Sequence, residues 1–153
     1  MSRDIEKIQP VEGTGGTHLW LVLWKSYEAV RNYAVRDIMS LGLGLSDFAI
    51  LEVLLNKGPC PVNDIGTRVG LTSGSMTTAI DRLEKKGLVE RRNEPNDRRT
   101  RVVHLTPEGR KLIECAFGAH SHSMDRLGEK LSRHERETAI RLLKKLGRAA
   151  EAR

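Results

Sequence analysis

Apolar residues fall at helical spacing over most of this chain. From Thr17 onward, Trp20, Leu23, Tyr27, Val30 and Ala34 recur at steps of three and four, leading toward Ile38 and Leu41. That spacing predicts a helix of about five or six turns with one apolar stripe. Thr17 stands where an N-cap belongs. Val22, Trp24 and Val35 lie off the stripe and widen it, so this helix needs cover on more than one side. Gly42 and Gly44 break the pattern. Ser46 is then placed to cap a second helix, with Phe48, Ile50, Leu51, Leu54 and Leu55 inward and Gly58-Pro59 as its stop.

The middle of the chain changes rhythm. Pro61 opens a short helix over 62–69 that ends at Gly70, and Thr72 caps another running to Lys86 and stopping at Gly87. Met76, Ala79, Ile80 and Leu83 form the inner face of this latter helix. Residues 88–92 and 100–105 read as strands joined by the turn-rich stretch Asn93-Glu94-Pro95-Asn96-Asp97, a hairpin with a protruding tip. Thr106-Pro107-Glu108 starts a long helix toward Leu127: a cap, a proline at the first helical position, then an acid. Ser132 caps the last helix, with Glu135 three residues on, and Ala139, Ile140, Leu143 and Leu146 make its apolar face. Residues 1–16 are polar and glycine-containing and read as a flexible arm.

Composition narrows the options. The 153 residues suffice for one domain with added dimerisation arms. Hydrophobic residues at 39% and charged residues at 30% point to a folded chain, and aromatics at 4% are too few for a stacking platform. A net charge of +6 favours a polyanionic partner. Cys60 and Cys115 form neither a disulfide framework nor a zinc pattern, which fits a reduced cytoplasm. The longest early apolar run, from Leu19 to Trp24, falls far short of the roughly 20 residues of a membrane span, so no membrane partner is expected.

No Ser-His-Asp order, paired carboxylates or phosphate-binding loop is evident, and Gly42 and Gly44 lack a following Gly-Lys-Ser/Thr, so no enzyme and no cofactor are expected. His120 and His122 point apart on a helix. Cys115 and His122 share a face, but two ligands make no metal site.

Short helix, glycine turn, helix, hairpin is the order of a winged helix-turn-helix. The helix from Thr72 would present Thr72, Ser73, Ser75, Thr77, Thr78 and Arg82 outward. Its N-terminus suits a phosphate, and its small hydroxyl residues let it sit deep in a major groove. The hairpin carries Arg91, Arg92, Arg98, Arg99 and Arg101 against Glu94 and Asp97, a net +3 within eleven residues. An arginine on a thin loop suits the negative potential of a narrow minor groove.

Leu71 to Thr77 and Asp81 to Val89 resemble the recognition helix of the MarR family of bacterial transcription regulators. Pro95-Asn96-Asp97-Arg98-Arg99 and Val103 to Gly109 resemble its wing and the start of its next helix. The likeness is specific over 71–109 and extends in element order over about 18–148.

The resemblance implies a mainly α fold within a single domain over 17–153. A winged helix-turn-helix DNA-binding lobe spans 46–105, and helices within 17–41 and 107–150 form the dimerisation region. It implies a cytoplasmic homodimer on a pseudo-palindromic operator in double-stranded DNA, with helix 72–86 in the major groove and wing 91–101 in the minor groove. By the family's Asp-x-Arg pattern, Arg99 reads the minor groove and Asp97 orients it, with Arg91 and Arg98 beside them. It also implies a repressor released by a ligand or an oxidant. Trp20, Trp24 and Tyr27 are candidates to line a pocket for a small phenol- or quinone-like effector, or else belong to the dimer core. Where many relatives carry an arginine early in the recognition helix, this chain has hydroxyls and glycine, which shifts the expected specificity toward thymine methyls, water and DNA shape. The alternatives are a winged-helix protein-interaction module, or a thiol-based redox regulator acting through Cys60.

Overall fold

The computed structural model describes residues 13–94 and 97–152, and the side chains of all of these except 94 and 97–100. Among the described residues, six helices and three strands follow one another: α1 (Gly16–Ser40), α2 (Leu45–Lys57), β1 (Cys60–Pro61), α3 (Val62–Val69), α4 (Ser73–Lys85), β2 (Val89–Glu94), β3 (Asp97–Leu105), α5 (Pro107–Gly128) and α6 (Arg133–Glu151). The mainly α class with a winged hairpin is as the sequence implies. By internal contacts the chain divides between Arg36 and Asp37.

The first unit consists, among described residues, of α1 up to Arg36. Trp20, Trp24 and Tyr27 are 59%, 51% and 58% exposed, with Leu19, Val22 and Val30 also exposed. The helix begins at Gly16, where the N–H of Leu19 donates to the carbonyl of Gly15. Thr17 therefore lies inside the first turn and is not the cap. Of the expected arm, residues 1–12 lie outside the described residues.

The second unit carries the core. Ile50, Leu51 and Leu54 of α2, Ile65 of α3, Met76, Ile80 and Leu83 of α4, Val89 and Val103 of the sheet, and Ile113 of α5 are all essentially fully buried. Side chains of this size contribute about 1.5–3 kcal/mol each on burial, so α4 shares one core with five other elements. The predicted inner face of α4 is buried as a whole, including Ala79. Gly70 ends α3 in the left-handed conformation (φ +69°, ψ +29°), which permits the sharp turn into α4.

The sheet is antiparallel in the order β1-β3-β2. Cys60 pairs with Val103 and Pro61 with Val102, while β2 pairs with β3 from Val89↔Leu105 to Asn93↔Arg101, with an irregularity at Asn93/Glu94. The strands reach further into the tip than the turn residues suggest, to Glu94 and from Asp97. β1 has no sequence signal: it is two residues long, and Pro61 has no N–H for a ladder. The cap of α2 also differs from expectation. Gly44 is the N-cap without a side-chain bond, and Ser46, already inside the first turn, instead accepts from Arg82. Thr72, Thr106 and Ser132 cap α4, α5 and α6 as expected, accepting from the N–H groups of Ser75, Gly109 and Glu135. Ser132 and Glu135 complete a capping box, which holds the Glu135 carboxyl below its ordinary pKa through hydrogen bonds from Ser132. On α6, Ile140, Leu142 and Leu143 remain about half exposed.

Within this unit, Asp37 at the end of α1 meets α5. Its Oδ2 lies 2.6 Å from Nδ1 of His120, whose ring packs edge-on against Phe48 with centroids 5.2 Å apart. Partial burial opposes ionisation of Asp37. Hydrogen bonds to His120 and Ser123 and the charges of His120 and Arg126 outweigh it, so its pKa is lowered. A carboxyl whose folded pKa is depressed adds stability above its unfolded value, near 4, and that stability is lost as pH falls through the folded value. Asp37→Asn is expected to cost about 1 kcal/mol at neutral pH. The gap in melting temperature between variant and parent should close below about pH 4; a gap that persists there would show that the ionised carboxylate is not responsible.

Candidate nucleic-acid interface

The outer face of α4 is built by its inner one. With Met76, Ala79, Ile80 and Leu83 turned into the core, Ser73, Gly74, Ser75, Thr77 and Thr78 are left exposed together. The hydroxyl of Thr77 donates to the carbonyl of Ser73 and that of Thr78 to the carbonyl of Gly74, both at 3.1 Å. With the proton held by the helix, each hydroxyl offers lone pairs outward. It can accept from an exocyclic amine such as adenine N6 or cytosine N4. At the helix start, Thr72 Oγ1 accepts the N–H of Ser75 at 3.3 Å and donates to Ser75 Oγ at 3.0 Å. One of the helix's unpaired N–H groups is thereby used, and the positive end of the helix dipole remains on this face. Between α3 and α4 lies a hollow of about 260 Å³ bounded by Asn63, Thr67, Ser73, Met76 and Thr77.

Two of the expected contact residues are engaged within the protein. From the sequence Arg82 is open to a phosphate; in the structure its guanidinium folds back onto α2. Nε lies 3.0 and 3.2 Å from the two carboxylate oxygens of Asp47, one terminal nitrogen also bonds Asp47, and the same nitrogen donates to Ser46 Oγ at 3.2 Å. Lys86 Nζ reaches the other Asp47 oxygen at 3.2 Å. Asp47 is 2% exposed, so its charge is held in the protein by two cations of the α4 segment. The hydrogen bond from Arg82 to Asp47 raises the already high pKa of the guanidinium. Arg91 is likewise occupied. Its guanidinium meets Asp81 at 2.6 Å and Glu84 at 2.5 Å, and its backbone N–H donates to Glu84 at 3.0 Å.

Asp47, Asp81, Glu84 and Lys86 are absent from the sequence-based site. A signal for the acids exists: Asp81 and Glu84 sit three apart on a helix meant to approach phosphates, which calls for a paired cation.

Of the wing candidates, the side chains of Asp97, Arg98 and Arg99 lie outside those described. Arg101 is exposed, and Arg92 is exposed and paired with Glu90. Cys60 is buried in β1, and its thiol donates to the Gly58 carbonyl at 3.3 Å; Cys115 is exposed on α5. Among the described residues, no single helix is long and apolar enough to cross a membrane.

Comparison with known proteins places this geometry. The model of the MarR family matches residues 43–100. The HTH-type transcriptional regulator MhqR of Bacillus subtilis is 35% identical over 129 residues, covering 84% of this chain and 89% of that protein. Among solved structures, a mutant of MarR from E. coli complexed with operator DNA superposes with a TM-score of 0.73 at 24% identity, covering 87% of this chain and 99% of that one. BpsR of Bordetella bronchiseptica, described in terms of regulation of its DNA binding by 6-hydroxynicotinic acid, gives a TM-score of 0.73 at 23% identity, with 89% and 98% covered.

Proposed function

This chain belongs to the MarR family of transcription regulators, DNA-binding winged-helix proteins that are not enzymes, and we propose that it is a cytoplasmic homodimeric repressor whose release from a pseudo-palindromic operator is driven by a small aromatic ligand. The observation that carries this reading is the two-sided character of α4: a fully buried apolar face and, opposite it, a hydroxyl-lined exposed face. Thr72, Ser73, Ser75, Thr77 and Thr78 face the major groove, where Thr77 and Thr78 select sequence. The wing enters the flanking minor groove, with Arg99 as reader, Asp97 as its orienter and Arg98 on the backbone. Arg82 and Arg91 act through the residues that hold them. The related MarR solved with operator DNA supports duplex DNA as the partner.

The apolar faces of α1 and α6, with Trp20, Trp24, Ile140 and Leu143 half exposed or more, suit burial in a dimer. Two recognition helices about 34 Å apart would then meet successive major grooves. An effector bound near Trp20, Trp24 and Tyr27 would release DNA by favouring another spacing, to the extent that its affinity differs between the two. BpsR, whose DNA binding is regulated by 6-hydroxynicotinic acid, supports a small aromatic acid or phenol as the ligand class. The buried, hydrogen-bonded thiol of Cys60 favours ligand release over thiol oxidation.

Arg99→Ala tests the wing assignment. Titration of a labelled duplex is expected to show binding about 10- to 100-fold weaker, or about 1–3 kcal/mol, with preference for A·T at the flanks relaxed. Unchanged affinity would remove Arg99 from the interface.

A further inference from the structure

Arg91 sits between the two parts of the DNA-reading surface. It lies in β2, shortly after the Lys86 cap of α4, and its side chain is only 15% exposed. Glu84 holds it twice: one carboxylate oxygen accepts the backbone N–H of Arg91 and the other accepts the guanidinium. Asp81, one turn earlier on α4, takes the second terminal nitrogen. Backbone and side chain of one wing residue are thus indexed to two residues on one face of the recognition helix. A guanidinium presents donors in a rigid fork that spans two carboxylates, which a lysine ammonium does not. With both terminal nitrogens engaged by carboxylates and its side chain largely covered, Arg91 is poorly placed to meet a phosphate. The pair also answers an electrostatic problem: unpaired, Asp81 and Glu84 would put two negative charges on a helix that approaches DNA.

We propose that Arg91 is a positioning residue that, through Asp81 and Glu84, locks the root of the wing to the recognition helix and so sets the angle at which the wing meets the flanking groove. The proposal rests on the reading above, in which α4 and the wing occupy adjacent grooves. It differs from a phosphate contact in what the acids do. If Arg91 contacts DNA directly, the acids compete with DNA for it. If Arg91 is a lock, the acids are needed for DNA reading although their charge is unfavourable there.

The test compares the full chain with Arg91→Gln, Arg91→Lys and the double variant Asp81→Asn/Glu84→Gln, on two duplexes: the sequence selected by the parent protein, and the same sequence with its A·T flanks replaced by G·C. The double variant is expected to lose flank discrimination to within about twofold of Arg91→Gln while keeping its half-site preference, even though it has shed two negative charges. Arg91→Lys is expected to lose flank discrimination as well, since it keeps the charge without the fork. A residue that only stabilised the fold would weaken both duplexes alike. Tighter binding by the double variant with flank discrimination intact would overturn the lock and make Arg91 a direct contact.

A second arm needs no DNA. In the free protein, amide exchange over residues 90–93 and 101–103 is expected to quicken about tenfold or more in Arg91→Gln and in the double variant; unchanged exchange would also overturn the lock. If the parent shows no flank discrimination at all, the wing reading of function fails, and the exchange arm still decides whether the lock exists.

Discussion

Replacing Gly109 with alanine is expected to lower the free energy of unfolding by about 3 kcal/mol or more. The reason is space. A Cβ on Gly109 would lie 1.8 Å from the carbonyl oxygen of Leu88 and 2.8 Å from its carbonyl carbon, and these are backbone atoms that cannot swing aside. The junction is stitched at several points. The N–H of Thr106 donates to that same Leu88 carbonyl at 3.1 Å, Thr106 Oγ1 donates to the Gly87 carbonyl at 2.7 Å, and the N–H of Gly109 donates to Thr106 Oγ1 at 3.0 Å. Relief of the clash would move the first turn of α5 away from the link between α4 and β2, and with it Ile113 and Ala116 of the core. Chemical denaturation is expected to show a clearly lower midpoint, equivalent to about 10 °C in melting temperature for a chain of this size. A midpoint equal to the parent's would mean that α5 does not pack against Leu88 as closely as described.

Arg82→Ala is expected to destabilise the protein by about 2–3 kcal/mol, because it leaves the carboxylate of Asp47 buried with Lys86 as its remaining cation. The value lies below that usual for a broken buried pair, since the Arg82 side chain is 44% exposed and solvent screens part of the interaction. The sharper measurement is a double-mutant cycle with Asp47→Asn by urea denaturation. A coupling of about 1–2 kcal/mol is expected, the double variant losing less than the sum of the single ones. Strict additivity would mean that the two residues act independently. This assigns Arg82 first to the seating of α4 on α2. Any loss of DNA affinity in Arg82→Ala should therefore accompany a loss of stability.

Those two cases mark where sequence reasoning succeeds and stops. The order of elements and the inner face of α4 were legible because helical periodicity, caps such as Thr72 and Thr106, and the glycine stop at Gly70 are local signals. The side chains that hold the site were less so. Asp47 and Arg82 are 35 residues apart, and nothing local to either shows that the arginine turns inward. In the sequence Arg91 is one more basic residue of a basic hairpin, and only the fold brings Asp81 and Glu84 of α4 to it. Gly109 belongs to the stretch that resembles the family, yet the need for glycine there arises from Leu88, a residue distant in sequence. β1 was illegible for a different reason: two residues cannot display a period of two. The apolar faces of α1 and α6 are plain in the sequence, and the fold leaves them exposed.

The most direct measurement is selection of bound sequences from a random double-stranded DNA library at near-physiological salt, with the parent protein and a Thr77→Ala/Thr78→Ala variant. The parent is expected to enrich a two-fold symmetric motif with half-site centres about 10 bp apart and A·T-rich flanks. The threonine variant should change the half-site while leaving the spacing intact. Enrichment of no motif, with only bulk binding that fades as salt rises, would contradict this expectation.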